Sequence, residues 1–204
     1  MGKWSEISVQ RINPAVIDLM EMLSDHGCHV AGGYARWACS PRNDSPLPSD
    51  IDVICPSKEA FEGAKADAII AGAVARKDTD FSFTFRGYHC PLKIQLLKTY
   101  LGRDLREAMS SIDFTVCRVA LLNQHAALAD RDFLSDERNS CLQVVAIEEQ
   151  SVVNTFCRML RYARKGYDIS QADIIRVLEV IKGADIEASP ALAPECASYR
   201  DVGS

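Results

Sequence analysis

The chain has 204 residues, a net charge of −5 and an apolar fraction of 48%, which suits one globular domain or a domain with a small helical appendage. No apolar run approaches the roughly 18–20 residues of a membrane span, and the N-terminus lacks the basic-then-apolar layout of a secretory signal. The expectation is a cytoplasmic protein without a membrane partner. Mild acidity argues against indiscriminate nucleic-acid binding, which depends on neutralising phosphates with Lys and Arg. The eight cysteines include no C-x-x-C pair and read as reduced thiols in the core; neither Cys28-His29 nor His89-Cys90 has zinc-ligand spacing.

In chain order, Asn13-Pro14 opens a helix carrying Val16, Ile17, Leu19, Met20 and Leu23 at helical spacing, and it ends near Gly27. Residues 28–31 form a short apolar strand. Gly32-Gly33 then lets the backbone turn and approach a ligand. Residues 34–39 read as a short helix whose first N–H groups and dipole favour a phosphate. Residues 40–49 are rich in Pro, Ser and Asn, as an active-site rim would be.

Asp50 and Asp52 stand two apart at the start of a strand (51–55), so both side chains point to one face. Adjacent carboxylates repel unless a cation sits between them. Mg²⁺, with Mn²⁺ as a substitute, fits because it is commonly held by one or two carboxylates plus substrate phosphates.

Pro56-Ser57 caps a helix reaching Gly72. Residues 74–76 and 81–85 predict a hairpin across Asp78-Thr79-Asp80, and 93–97 a third strand. A helix is expected at 104–109, one long apolar strand at 114–122, and its partner at 124–129 beyond Asn123. A short helix or turn at 132–138 and a strand at 141–145 lead into a helix at 148–165, which Gly166 stops. A last helix spans 170–182, and an Ala-, Pro- and Ser-rich tail follows. Arg158, Arg161, Arg164 and Lys165 lie near one helix face, either as a patch for RNA or as a solvated surface.

Three ordered blocks carry a resemblance. Gly32-Gly33, Arg36, Pro48, Asp50 and Asp52 resemble the G-G-x-x-R-D…P-x-D-x-D motif of the nucleotidyltransferase (DNA-polymerase-beta-like) superfamily, in the branch of class II CCA-adding enzymes and bacterial poly(A) polymerases. Residues 111–117, S-I-D-F-T-V-C, resemble its R-R-D-F-T-I-N, and residues 158–163, R-M-L-R-Y-A, its L-R-x-x-R-F-A. The resemblance implies an α/β (α+β) fold with a mixed sheet flanked by helices: a head over 1–146, a helical neck over 147–183 and a flexible tail over 184–204.

It also implies Mg²⁺-dependent transfer of a nucleoside monophosphate from an NTP to an acceptor hydroxyl, with pyrophosphate released. An RNA (tRNA-like) 3′ end is the first acceptor class, a protein or small molecule the second. Asp50 and Asp52 would be catalytic metal ligands; Gly32, Gly33, Arg36, Asp113, Arg158 and Arg161 would bind the nucleotide. Trp37, Ile112 and Cys117 depart from the family's motifs, and the E-D-x-x-R neck motif is missing. Gln95 stands where a third carboxylate is expected, with Asp80 and Asp113 as replacements. These departures leave room for a degenerate head that binds nucleotide without turnover.

Overall fold

The computed structural model describes residues 3–42 and 46–184; the tail expected at 184–204 lies, beyond Ala184, outside the described residues, as does part of the 40–49 rim. In chain order the elements are Trp4–Ser8 (β1), Ile17–Asp25 (α1), His29–Ala31 (β2), Gly32–Cys39 (α2), Asp50–Ile54 (β3), Lys58–Ile70 (α3), Val74–Asp78 (β4), Ser82–Arg86 (β5) and Lys93–Leu97 (β6). Leu105–Ser110 (α4), Val119–Leu121 (β7), Ala126–Asp130 (β8), Phe133–Asn139 (α5), Cys141–Leu142 (β9), Val152–Arg164 (α6), Asp168–Ile169 (β10) and Gln171–Gly183 (α7) follow.

Local chemistry explains several helix boundaries. Asn13 accepts from Ala15 N–H ahead of a 3₁₀ turn at Pro14–Val16 that leads into α1. Ser57 and Ser170 cap α3 and α7, while Asp104 and Glu107 form a reciprocal capping box on α4. Gly166, at φ +82°, follows the end of α6 in the left-handed conformation that glycine tolerates.

Eight strands form one mixed sheet in the order β1-β8-β7-β2-β3-β6-β5-β4. Only β3 and β6 run parallel; the other neighbours are antiparallel. Alternation divides β3 between the two faces: Ile51 and Val53 enter the apolar cluster with Leu23, Tyr34 and Phe61. Ile54 joins the opposite cluster with Phe114, Met159, Tyr162 and Val177. The second face, covered by α4, α6 and α7, is therefore also the face of Asp50 and Asp52.

The long strand expected at 114–122 is not formed. Thr115–Cys117 make a 3₁₀ turn, and only 119–121 pair as β7. The cause is Arg118, a buried charge inside an apolar-looking run: its Nε donates to Ile112 O at 2.9 Å and its Nη2 to Ser110 O at 2.5 Å. Its Nη1 lies 3.6 Å from Asp130. A straight strand would carry this guanidinium away from carbonyls only six and eight residues back. The strand expected at 141–145 is likewise cut to β9, which pairs in parallel with β10, and Val144 makes a single bridge to Phe114.

Candidate active site

The β2–α2 turn brings Gly32, the first glycine of the pair, against Asp52, the second aspartate of the D-x-D stretch. Ala31 pairs with Asp52, and Gly32 then takes φ +62°. A Cβ on Gly32 would stand 3.0 Å from Asp52 Oδ2, so this position requires glycine for both conformation and space. Gly33 meets nothing within 4 Å and leaves an open approach to the backbone. The Ala31 N-cap offers no side-chain acceptor, so the first N–H groups of α2 lack that intrachain partner and suit an anion.

On the next strand pair, parallel register sets Lys93 beside Asp50 and Gln95 beside Asp52. Lys93 Nζ lies 3.1 Å from Asp50 Oδ2. Facing these groups is α6, whose Arg158, Arg161 and Tyr162, with Lys165 just after its last residue, form the other wall of a cleft of about 340 Å³. Gly32, Gly33, Asp50 and Asp52 line the same cleft, with Tyr100, Ile112 and Cys117. Six of the eight sequence-derived site residues therefore meet in one place. A smaller cavity of about 160 Å³ between α1 and the β2–β7 region is lined mainly by apolar side chains and brings no such opposition of charges.

The other two site residues stand behind the walls. Asp113 is buried and does not line the cleft; its Oδ1 accepts from Arg158 Nη1 at 2.7 Å and its Oδ2 from Thr155 Oγ1 at 3.3 Å. Burial raises its pKa above the ordinary carboxylate value, and Arg158 offsets this in part. The carboxylate therefore orients Arg158, which also donates to Cys117 Sγ at 3.4 Å.

Arg36 is turned away from the cleft, contrary to its expected phosphate contact. Its side chain is only 8% exposed; Nη1 donates to Tyr167 Oη at 2.9 Å and lies 3.5 Å from Glu137 Oε1. Glu137 is wholly buried and accepts from Ser40 Oγ and Tyr167 Oη, both at 2.5 Å. Helical spacing alone does not reveal that Arg36 faces this buried glutamate. Trp37 stacks at a tilt on Tyr34, 5.4 Å between centroids, beneath the Arg11 guanidinium.

Lys165 completes the cationic wall, and Tyr162 packs beside it. The Lys165 residue is exposed as a whole, but its ammonium lies 5.2 Å from the Tyr162 ring centroid. Loss of water there, followed by repulsion from Arg36, lowers its pKa. Tyr162 Oη is 2.9 Å from Cys117 Sγ. The sequence carried a signal for Lys93 and Gln95 as well, since they alternate with the buried Ile94 and Leu96.

Asp50 and Asp52 are two oxygen donors that could hold a hard divalent cation such as Mg²⁺, which would need water or phosphate oxygens to complete its coordination. Among the described residues no third His, Cys, Asp or Glu joins them. The proposed replacements stand elsewhere: Asp113 is committed to Arg158, and Asp80 lies in the exposed turn between the edge strand β4 and its neighbour β5. No helix among the described residues is long and apolar enough to cross a membrane.

No protein-family model matches this chain, and no curated protein sequence does. Solved structures do. The Thermotoga maritima CCA-adding enzyme complexed with tRNA matches at 18% identity and a TM-score of 0.64, over 90% of this chain and 47% of that one. A CCA-adding enzyme in complex with ATP matches at 19% identity and a TM-score of 0.67, over 97% and 50%. One in complex with CTP matches at 19% and 0.63, over 90% and 47%. The chain spans about half the length of these structures, and over that span it has the fold they share, a nucleotidyltransferase-type mixed sheet with flanking helices.

Proposed function

We propose that the chain is a nucleotidyltransferase that moves a nucleoside monophosphate from an NTP to an RNA 3′ hydroxyl of the tRNA type. The observation that carries this reading is the single cleft in which Gly32-Gly33 and the Asp50–Asp52 pair face the cations of α6. The likeness to CCA-adding enzymes solved with tRNA, ATP and CTP supports the substrate classes. In this reading residues 1–146 act as a catalytic head and 147–183 as a neck that closes over the nucleotide.

The N–H groups of Gly32 and Gly33 bind phosphate oxygens, assisted by Arg161 and Lys165 across the cleft. Arg158, held by Asp113, presents its remaining donors to the nucleotide. Asp50 and Asp52 would hold Mg²⁺ (or Mn²⁺), which when bound supplies neutralisation of the phosphate charge. The acceptor hydroxyl loses its proton to solvent, its oxygen forms a bond to the α-phosphorus as the bond to pyrophosphate breaks, and positioning and electrostatics supply most of the acceleration. Arg36 and Asp113 contribute by fixing the walls. The Arg158–Lys165 stretch is the RNA-facing patch.

A second reading, a nucleotide-binding head without turnover, is favoured by one feature: Lys93 and Gln95 beside the carboxylates. A transfer assay decides between the two. Each α-labelled NTP is incubated with the chain, Mg²⁺ or Mn²⁺ and total RNA, beside an Asp50→Asn/Asp52→Asn variant. Label in RNA that the variant fails to incorporate supports the transferase; label only in protein or small molecules moves the acceptor class. NTP binding without transfer leaves the second reading standing.

A further inference from the structure

We propose that this site takes one divalent cation rather than two, with the Lys93 ammonium serving as the second positive charge. The proposal rests on the nucleotide-binding reading above and concerns how that site is charged. Because β3 and β6 are parallel and in register, each carboxylate has a fixed neighbour: Lys93 for Asp50, Gln95 for Asp52. Ile94 and Leu96, wholly buried on the opposite face, lock both neighbours onto the carboxylate face.

Two divalent ions roughly 3.5–4 Å apart bring four positive charges into one site. Anionic ligands must bridge and flank such a pair. Here β3 supplies two carboxylates, while β6 supplies a cation and a neutral amide. No third acidic, His or Cys side chain joins them among the described residues. A second dication near Asp50 would stand beside an ammonium already 3.1 Å from that carboxylate, so like charge and ligand count act together.

The Lys93–Asp50 pair alone would not bar the first ion. It is about one-third exposed on both sides, and such pairs contribute little. Its role is to relieve the repulsion between Asp50 and Asp52 and to remain as a tethered cation when the nucleotide arrives with its metal. A single ion delivered on the triphosphate then completes the charge.

Equilibrium dialysis of the full chain against Mn²⁺ with α,β-methylene-ATP or α,β-methylene-CTP tests this by counting retained metal and retained nucleotide. The expected ratio is one Mn²⁺ per nucleotide in the wild type, one in Lys93→Met with metal held about fivefold more tightly, and two in Gln95→Glu. A wild-type ratio of two overturns the proposal and leaves nucleotide binding intact. A ratio of one in folded Gln95→Glu overturns the assignment to Gln95. Retention of neither analogue overturns the nucleotide-binding reading and the proposal with it. The wild-type ratio decides even if Gln95→Glu does not fold.

Discussion

Arg158 Nη1 donates to Asp113 Oδ1 at 2.7 Å, joining two residues 45 positions apart. The bond fixes α6 against the segment between α4 and the 3₁₀ turn at 115–117, and so sets the width of the cleft. Backbone bonds from Val145 N and Ala146 N to Asp113 O, at 2.8 and 3.4 Å, fasten the same point. Asp113→Ala leaves Arg158 without its carboxylate. Because the Arg158 side chain is 35% exposed, the expected loss is about 1–3 kcal/mol, below that of a fully buried pair. Urea denaturation measures it, and Asp113→Asn should lose less because its amide oxygen still accepts.

The Arg36–Glu137–Tyr167 cluster gives a sharper test, because its carboxylate is wholly buried. Arg36→Met strands that charge and should destabilise the protein by about 3–5 kcal/mol. Arg36→Met combined with Glu137→Leu removes both charges and should recover most of the loss, since buried ion pairs replaced by apolar groups are often neutral. A double-mutant cycle by chemical denaturation checks this. Equal losses in the single and double variants would show that Arg36 acts through some other contact.

The two glycines should respond oppositely to alanine. Gly32→Ala places a Cβ 3.0 Å from Asp52 Oδ2 in a backbone held at φ +62°, and should cost about 1–2 kcal/mol while displacing the carboxylate. Gly33 lies inside α2 with open space around it. Gly33→Ala should leave stability unchanged or raise it by up to about 1 kcal/mol, while weakening nucleotide binding by filling the approach. Thermal melts and a fluorescent-NTP titration separate the two effects.

What was legible in the sequence is what local spacing encodes. The glycine turn, the one-face placement of Asp50 and Asp52, the β4–β5 hairpin and the caps at Asn13 and Ser57 each depend on a few consecutive residues. Arg36 and Asp113 were legible as motif members but not as buried pairs, because their partners Glu137 and Arg158 are distant in the chain. Residues 115–118 misled because polar side chains in an apolar-looking run are buried and paired: Arg118 bonds back to Ile112 O and Ser110 O, and Thr115 bonds to the distant Asp136. β1 lacks a clear apolar period in W-S-E-I-S and exists as an edge strand by pairing with β8; β10 has only two residues and exists by pairing with β9.

Lys165 supplies a pH prediction with a definite sign. Lost hydration beside Tyr162, then repulsion from Arg36, Arg161 and Arg158, holds its pKa below the ordinary lysine value of 10.5. Between that lowered value and 10.5 the folded chain binds fewer protons than the unfolded one, so this group's contribution to stability rises with pH across the window. Phosphate binding has the opposite sign, because it needs the charged ammonium. NTP affinity should therefore begin to fall at an alkaline pH lower than an unperturbed lysine would give. Lys165→Arg, whose charge persists through this range, should keep its affinity there, and Lys165→Met should be weak at every pH. Titrations of a fluorescent NTP analogue from pH 7 upward read all three. An alkaline limb unchanged in Lys165→Arg would remove Lys165 from the phosphate site.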